Sequence, residues 1–209
     1  MSDDATVPAA LPLSLLEAIR NLDTPMGDGL EALADEMVTR RLGLSATVAA
    51  RIARYRELVA RDEGVPEDDL VSVLRLVGRR ADSALAFADA GRRAARHAVH
   101  TRARTAQRLA RTLPRVVGGR IAARAARRLI DVWFGGALDL AAGDGEITMA
   151  NPVAVTAMPD GGACAFYGAA FNELLRCVTG FEGAVFHEAC RGRGDAACVW
   201  RAHRAGEYE

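Results

Sequence analysis

The chain has 209 residues, half of them apolar, and its 27 basic residues, all arginine, offset 27 acids to a formal net charge of zero. That length and apolar content allow one ordinary domain with its own core and exclude a disordered or fibrous chain. No apolar run reaches the roughly 20 residues of a bilayer-spanning helix, and Asp3 and Asp4 stand where a signal peptide would be basic, so a cytoplasmic protein is expected.

Residues 1–10 read as a loose tail. Residues 11–22 place Leu13, Leu16, Ile19 and Leu22 on one helical face, and Asp23-Thr24-Pro25 ends that helix. A second helix is expected over 27–42, with Leu30, Leu33 and Met37 inward. A third follows Ser45, an N-cap by type, through Val48, Ile52, Tyr55 and Val59. Residues 1–63 thus form an N-terminal helical extension, either a dimerisation or docking lid or a completion of the core. The remainder, 64–209, opens on Gly64-Val65-Pro66-Glu67-Asp68-Asp69, a helix start with carboxylates at the positive end of the dipole, followed by the stripe Leu70, Val73, Leu74, Val77.

Two further helices are expected at 81–105 and 115–140, separated near Leu113-Pro114. The β-rich part is expected to begin only at 146–150, with a second short strand at 153–158 and a polar loop at 159–162. Helices first and strands later indicate α+β: a helix-rich N-terminal two thirds packed on a small antiparallel sheet.

Charge is distributed unevenly. Residues 75–128 hold 15 arginines against Asp82 and Asp89, whereas residues 1–70 hold 14 acids against seven arginines. The cationic stretch is either a solvated face that balances the acidic helices or an attractor of anions, with Arg92, Arg93 and Arg96 as candidate ligand-guiding residues. It carries no interleaved aromatics for nucleic acid. Its arginines are spread through alanine-rich helices with little bulky apolar surface, which argues against a membrane anchor.

All four cysteines fall between 164 and 198. A helix is expected from Cys164 to about 178, ended by Gly180. A strand at 184–190 then turns through Arg191-Gly192-Arg193-Gly194-Asp195 and returns at 197–203, with Cys198 and Trp200 on one face. Zinc takes thiolates and imidazoles tetrahedrally, and Cys164, His187, Cys190 and Cys198 supply that set for a structural site. In a regular strand Glu188, not His187, shares a face with Cys190. A bulge near 189 would reverse this, so Glu188 stands as the reserve ligand. Cys177 packs in the helix. The competing assignment is four buried free thiols; a disulfide framework fits a chain this long without a secretory signal less well.

The ending FHEACRGRGDAACVW resembles the signature of the 4-vinyl reductase domain, which also forms the sensor of phenol- and xylene-responsive transcription activators, where cysteines and a glutamate bind zinc. The resemblance matches Cys164, Cys190 and Cys198 to the thiol ligands and puts His187 where that glutamate is expected. Asn151-Pro152, the run CAFYGAAF from Cys164, and GVPEDDLVSVLRLVGRRADSALAFADAGRRAA are similar to the bacteriochlorophyll 4-vinyl reductase family. The likeness covers roughly residues 64–203. It implies a zinc-containing, homodimeric protein that binds a chlorophyll precursor, alone or with a pigment-synthesis enzyme as partner.

Vinyl reduction needs a hydride donor, yet no strand leads into G-x-G-x-x-G, and Gly143-Asp144-Gly145 and Gly192-Arg193-Gly194 sit in turn settings. No catalytic residue can be assigned, so whether the chain is an enzyme is left open. Trp133, Phe134, Phe166, Tyr167 and Phe171 could wall a pocket for a flat apolar molecule or simply fill the core. His97 or His100 could ligate a chelated magnesium. The alternative function is a stand-alone sensor of a small aromatic or lipid-like effector.

Overall fold

In the computed structural model, which describes residues 5–24, 42–140 and 145–206, the chain folds as α+β, with helices around two small antiparallel sheets. Strand β1 (Thr6–Pro8) pairs with β2 (Gly64–Pro66), Val7 facing Val65. Residues 6–10 are therefore not the loose tail expected. The ladder pins them, Ala9 and Ala10 are buried, and the pairing crosses the boundary expected at 63/64. Helix α1 (Ala10–Asp23) buries Leu11, Leu15, Leu16 and Ile19 in the same core as the C-terminal half. The helix expected over 27–42 lies outside the described residues except for Leu42, which sits in a 3₁₀ turn, Leu42–Leu44.

The end of α1 is fixed by charge. Arg80 donates to both oxygens of Asp23 at 2.8 Å and to Asp82 at 2.7 Å, while the Gly43 amide donates to Asp23 at 2.7 Å. Helix α2 (Ala46–Ala60) starts where the Ser45 hydroxyl accepts from the Val48 amide. Helix α3 (Glu67–Gly78) has Glu67, Asp68 and Asp69 in its first turn and buries Leu70, Val73, Leu74 and Val77 completely.

Helix α4 (Ser83–Ala98) buries mostly small residues, Ala86, Ala90, Gly91, Ala94, Ala95 and Ala98, with Phe87 the one large exception. It runs on through a π turn, Val99–Ala103, into α5 (Arg104–Thr112), farther than the 81–105 expected, because no glycine or proline intervenes before Pro114. Helix α6 (Arg115–Phe134) then stops short of 140 at Gly135, whose φ of +67° is a left-handed cap. The freed residues form β3 (Ala137–Asp139), so the sheet begins before 146.

The main sheet has the order β3-β4-β6-β5, all antiparallel, with β4 (Glu146–Met149) between β3 and β6 (Cys198–Arg204), and β5 (Gly183–Ala189) at the far edge. The strand expected at 153–158 is instead a short helix, α7 (Val153–Ala157). Its β-branched residues suggested a strand, but Pro152 sets the entry and Val153, Ala154 and Ala157 share a buried helical face.

Helix α8 (Cys164–Thr179) lies at the centre, against α4, α6 and β5. On it Glu173, 4 % exposed, binds Arg96 at 2.6 Å and Arg176 at 2.7 Å. Hydrogen bonding from Arg176, and then from Arg96, holds its carboxyl down at about 2 from an ordinary 4.5. A depressed carboxylate stabilises the fold above its unfolded pKa and loses that contribution as pH falls through the folded one. Glu173→Gln is therefore expected to flatten the loss of stability between pH 5 and 2. The difference should be about 1–2 kcal/mol in denaturant melts, since both arginines are largely exposed.

Candidate metal centre and adjoining groove

Strict alternation along β5 would send His187 away from Cys190. The β5–β6 ladder instead carries a bulge: His187 faces Trp200 and Ala189 faces Val199, so Glu188 is the extra residue. The His187 ring stacks on Trp200 at 4.6 Å and 14°. Glu188 pairs with Arg201 at 3.1 Å and lies 3.4 Å from His203. The reserve ligand of the sequence reading is thus engaged elsewhere, and the bulge puts His187 with the cysteines.

Cys190 ends β5 and Cys198 opens β6. The reversal between them is tied by the Cys190 amide donating to Asp195 at 2.7 Å and the Arg191 amide donating to the Cys198 sulfur at 3.3 Å. Cys164 enters from the first turn of α8. The donor atoms of Cys164, His187, Cys190 and Cys198 all lie within 4.8 Å of one another, with the Cys190 and Cys198 sulfurs 3.9 Å apart. Gly161, at φ +78°, closes the cluster from the 159–162 loop; a Cβ there would sit 2.6 Å from the Cys190 sulfur.

This donor set fits a metal ion on three counts. The three thiols are at most 1 % exposed and none is in a disulfide. His187 Nε2 is buried without a hydrogen-bond partner among the described residues, a cost that coordination removes. A tetrahedron with zinc–sulfur bonds of about 2.3 Å spaces its sulfurs by about 3.8 Å, close to the separation of Cys190 and Cys198. Burial pushes the Cys164 and Cys198 thiols up. Burial, with Arg193 adding to it, pulls His187 down. These shifts favour the neutral forms of Cys164, Cys198 and His187, so a divalent ion would bind in exchange for thiol protons. Cys177 is half-buried beside Glu173, outside the cluster.

The five candidate aromatics separate into two places. Phe134, Phe166, Tyr167 and Phe171 are buried against one another and Trp200, with centroids 5.2–6.2 Å apart, and form the core behind the metal cluster rather than an open wall. Trp133 leaves that group and meets His97, ring centroids 5.7 Å apart. Together they line a groove of about 250 Å³ with Val7 and Pro8 of β1, and Thr101 and Arg102 of the π turn. Arg102 is paired with Asp62, whose φ of +58° is left-handed. Burial, then the nearby His100, lowers the pKa of His97. Of the candidate arginines, Arg93 pairs with Asp89 and Arg96 with Glu173, while Arg92 is exposed.

Asp195, Gly161, Thr101 and Arg102 were not singled out from the sequence as site residues. Asp195 had a local signal, since a carboxylate in a glycine-rich reversal commonly accepts a backbone amide. The others are brought in by chain segments distant in sequence.

Compared with protein-family models and with curated proteins, the chain has no match to either. The fold and the cluster define a class: an α+β protein with a buried Cys3His centre that could hold a metal ion and is compatible with zinc. Among the described residues no helix is long and apolar enough to cross a membrane.

Proposed function

We propose that the chain is a zinc-stabilised binding module for a flat, largely apolar molecule rather than a self-sufficient enzyme. Cys164, His187, Cys190 and Cys198 would hold the zinc. Four protein ligands close its shell, so its contribution is to the fold and not to substrate activation. The observation that carries the binding reading is the groove bordered by the largely buried Trp133 and by His97, beside a π turn. Single π turns recur at functional sites.

The resemblance to the 4-vinyl reductase domain gives the first ligand class: a (bacterio)chlorophyll precursor, with the chain a formal 4-vinyl (8-vinyl) reductase or an accessory that presents the pigment. In that reading His97 would ligate the chelated magnesium. The groove volume favours a second reading. Ligand sites usually measure roughly 300–1,000 Å³, so a groove of about 250 Å³ suits one or two aromatic rings, and a macrocycle would enter only by its edge. A sensor of a small aromatic effector fits that size.

Titration separates the two: divinyl chlorophyllide followed by its Soret band, and simple phenols followed by tryptophan fluorescence. One class is expected to bind, with His97→Ala weakening it at least about tenfold, the worth of one well-placed hydrogen bond or ligand, and leaving metal content intact. No binding in either arm, or binding indifferent to His97→Ala, would remove the groove as the site. Steady consumption of reduced nicotinamide cofactor by the pure protein with divinyl chlorophyllide would overturn the non-enzymatic half of the proposal.

A further inference from the structure

Helices α5 and α6 meet at Pro114, away from both the metal cluster and the groove lining. Around that corner Leu109, Leu113, Val116 and Val117 are 52, 38, 69 and 47 % exposed, although leucine and valine ordinarily bury. Leu109 lies in the last turn of α5, and Leu113 is the extended residue that caps it. Val116 and Val117 open α6, so the corner joins both pairs. The arginine-rich helices hold little bulky apolar surface, as the sequence indicates, and what there is falls on either side of Pro114.

Along the chain, the charge of this stretch has one sign. Between Asp89 and Asp131 the sequence contains no acidic residue. Arg93, Arg96 and Arg102 are engaged by Asp89, Glu173 and Asp62. Arg104, Arg108, Arg120 and Arg124 are exposed and have no ion-pair partner among the described residues. They are spaced at single helical turns leading back from the apolar end on both helices.

We propose that this corner docks on an anionic phospholipid surface. The four aliphatic side chains enter the boundary between headgroups and acyl chains, and the arginines behind them reach headgroup phosphates, their stems lying along the apolar layer. Charge decides among occupants. A second copy would bring the same unpaired arginines against these. Nucleic acid would satisfy the arginines but leave the aliphatic side chains in water, and no aromatic stands at the corner for base stacking. An acidic bilayer surface satisfies both sets of groups at once.

Sedimentation of the full chain with phosphatidylcholine vesicles, with and without about 30 % phosphatidylglycerol, tests this; a leaflet of such charge attracts each nearby arginine. Binding to the charged vesicles is expected at low salt and should fade as the screening length shrinks from about 10 Å at 0.1 M toward about 3 Å at 1 M. The pair Leu113→Ser and Val117→Ser should weaken binding at least about tenfold without changing its salt slope. The pair Arg108→Gln and Arg120→Gln should weaken it similarly and flatten the slope. All four positions are exposed, so thermal melts should match the parent chain. Failure to sediment with charged vesicles, or equal sedimentation with neutral ones, overturns the proposal. So does binding that ignores the apolar pair, or equal affinity for duplex DNA at matched phosphate with the same response to both pairs; either result reduces the corner to a general polyanion site.

Discussion

Purified under reducing conditions, the chain is expected to hold a single zinc ion, and Cys198→Ser to release it with a large loss of stability. A site that exists only in the folded chain contributes its binding free energy to folding, roughly 10–16 kcal/mol in small zinc peptides. Here Trp200 and the β5–β6 ladder already support the hairpin, so the expected loss is a part of that, on the order of several kcal/mol. Chelation of the parent chain should lower its melting temperature to a similar extent. His187→Ala should weaken zinc binding, whereas Glu188→Ala should leave metal content unchanged, because Glu188 faces Arg201 and His203. Cys177→Ser should also be silent. Gly161→Ala should compromise the site without removing a ligand, since its Cβ would crowd the Cys190 sulfur on a backbone that disfavours side chains. Freshly purified, unchelated protein without bound metal would end the assignment.

That Cys164, His187, Cys190 and Cys198 come together as a possible metal cluster could be read from residue types and spacing. Its geometry could not: the fourth ligand depends on a single bulged residue, and nothing in Val185-Phe186-His187-Glu188-Ala189 announces a bulge. Helices with branched or long apolar stripes, such as α1 and α8, were legible to within a residue or two, because the period of burial is written in the sequence. The short pieces were not. Thr6–Pro8 forms a strand only because Gly64–Pro66 lies alongside it, and α7 overrides β-branched residues through the entry at Pro152 and a buried face. The aromatics were a sound guide to what lies inside, but not to which buried ring borders the groove. Trp133 is adjacent in sequence to Phe134 and both are buried, but only Trp133 also borders the groove while Phe134 packs on Tyr167 and Phe171.

The crossing of α4 over α8 is expected to be the most sensitive helix contact, and Gly91 is its closest point. A Cβ on Gly91 would lie 2.2 Å from the Phe166 carbonyl oxygen, 2.8 Å from the Ala170 nitrogen and 3.0 Å from the Ala169 Cβ. Two of those atoms are backbone, so no rotamer change relieves the clash and the two helix axes must separate. Gly91→Ala should therefore destabilise by about 3 kcal/mol, the upper end of ordinary overpacking costs, despite alanine's better helix propensity. Gly91→Val should cost more. Because α8 also carries Cys164, Tyr167 and Phe171, the displacement should reach the cluster, and zinc affinity should fall along with stability. Gly119→Ala in α6 is the internal control. No atom lies within 4 Å of its Cβ position, so propensity alone should stabilise the chain by up to about 1 kcal/mol. Equal stabilities for the two alanine variants, measured by denaturant unfolding with metal content monitored in parallel, would mean that α4 and α8 do not approach this closely and that Cys164 is positioned by the hairpin alone.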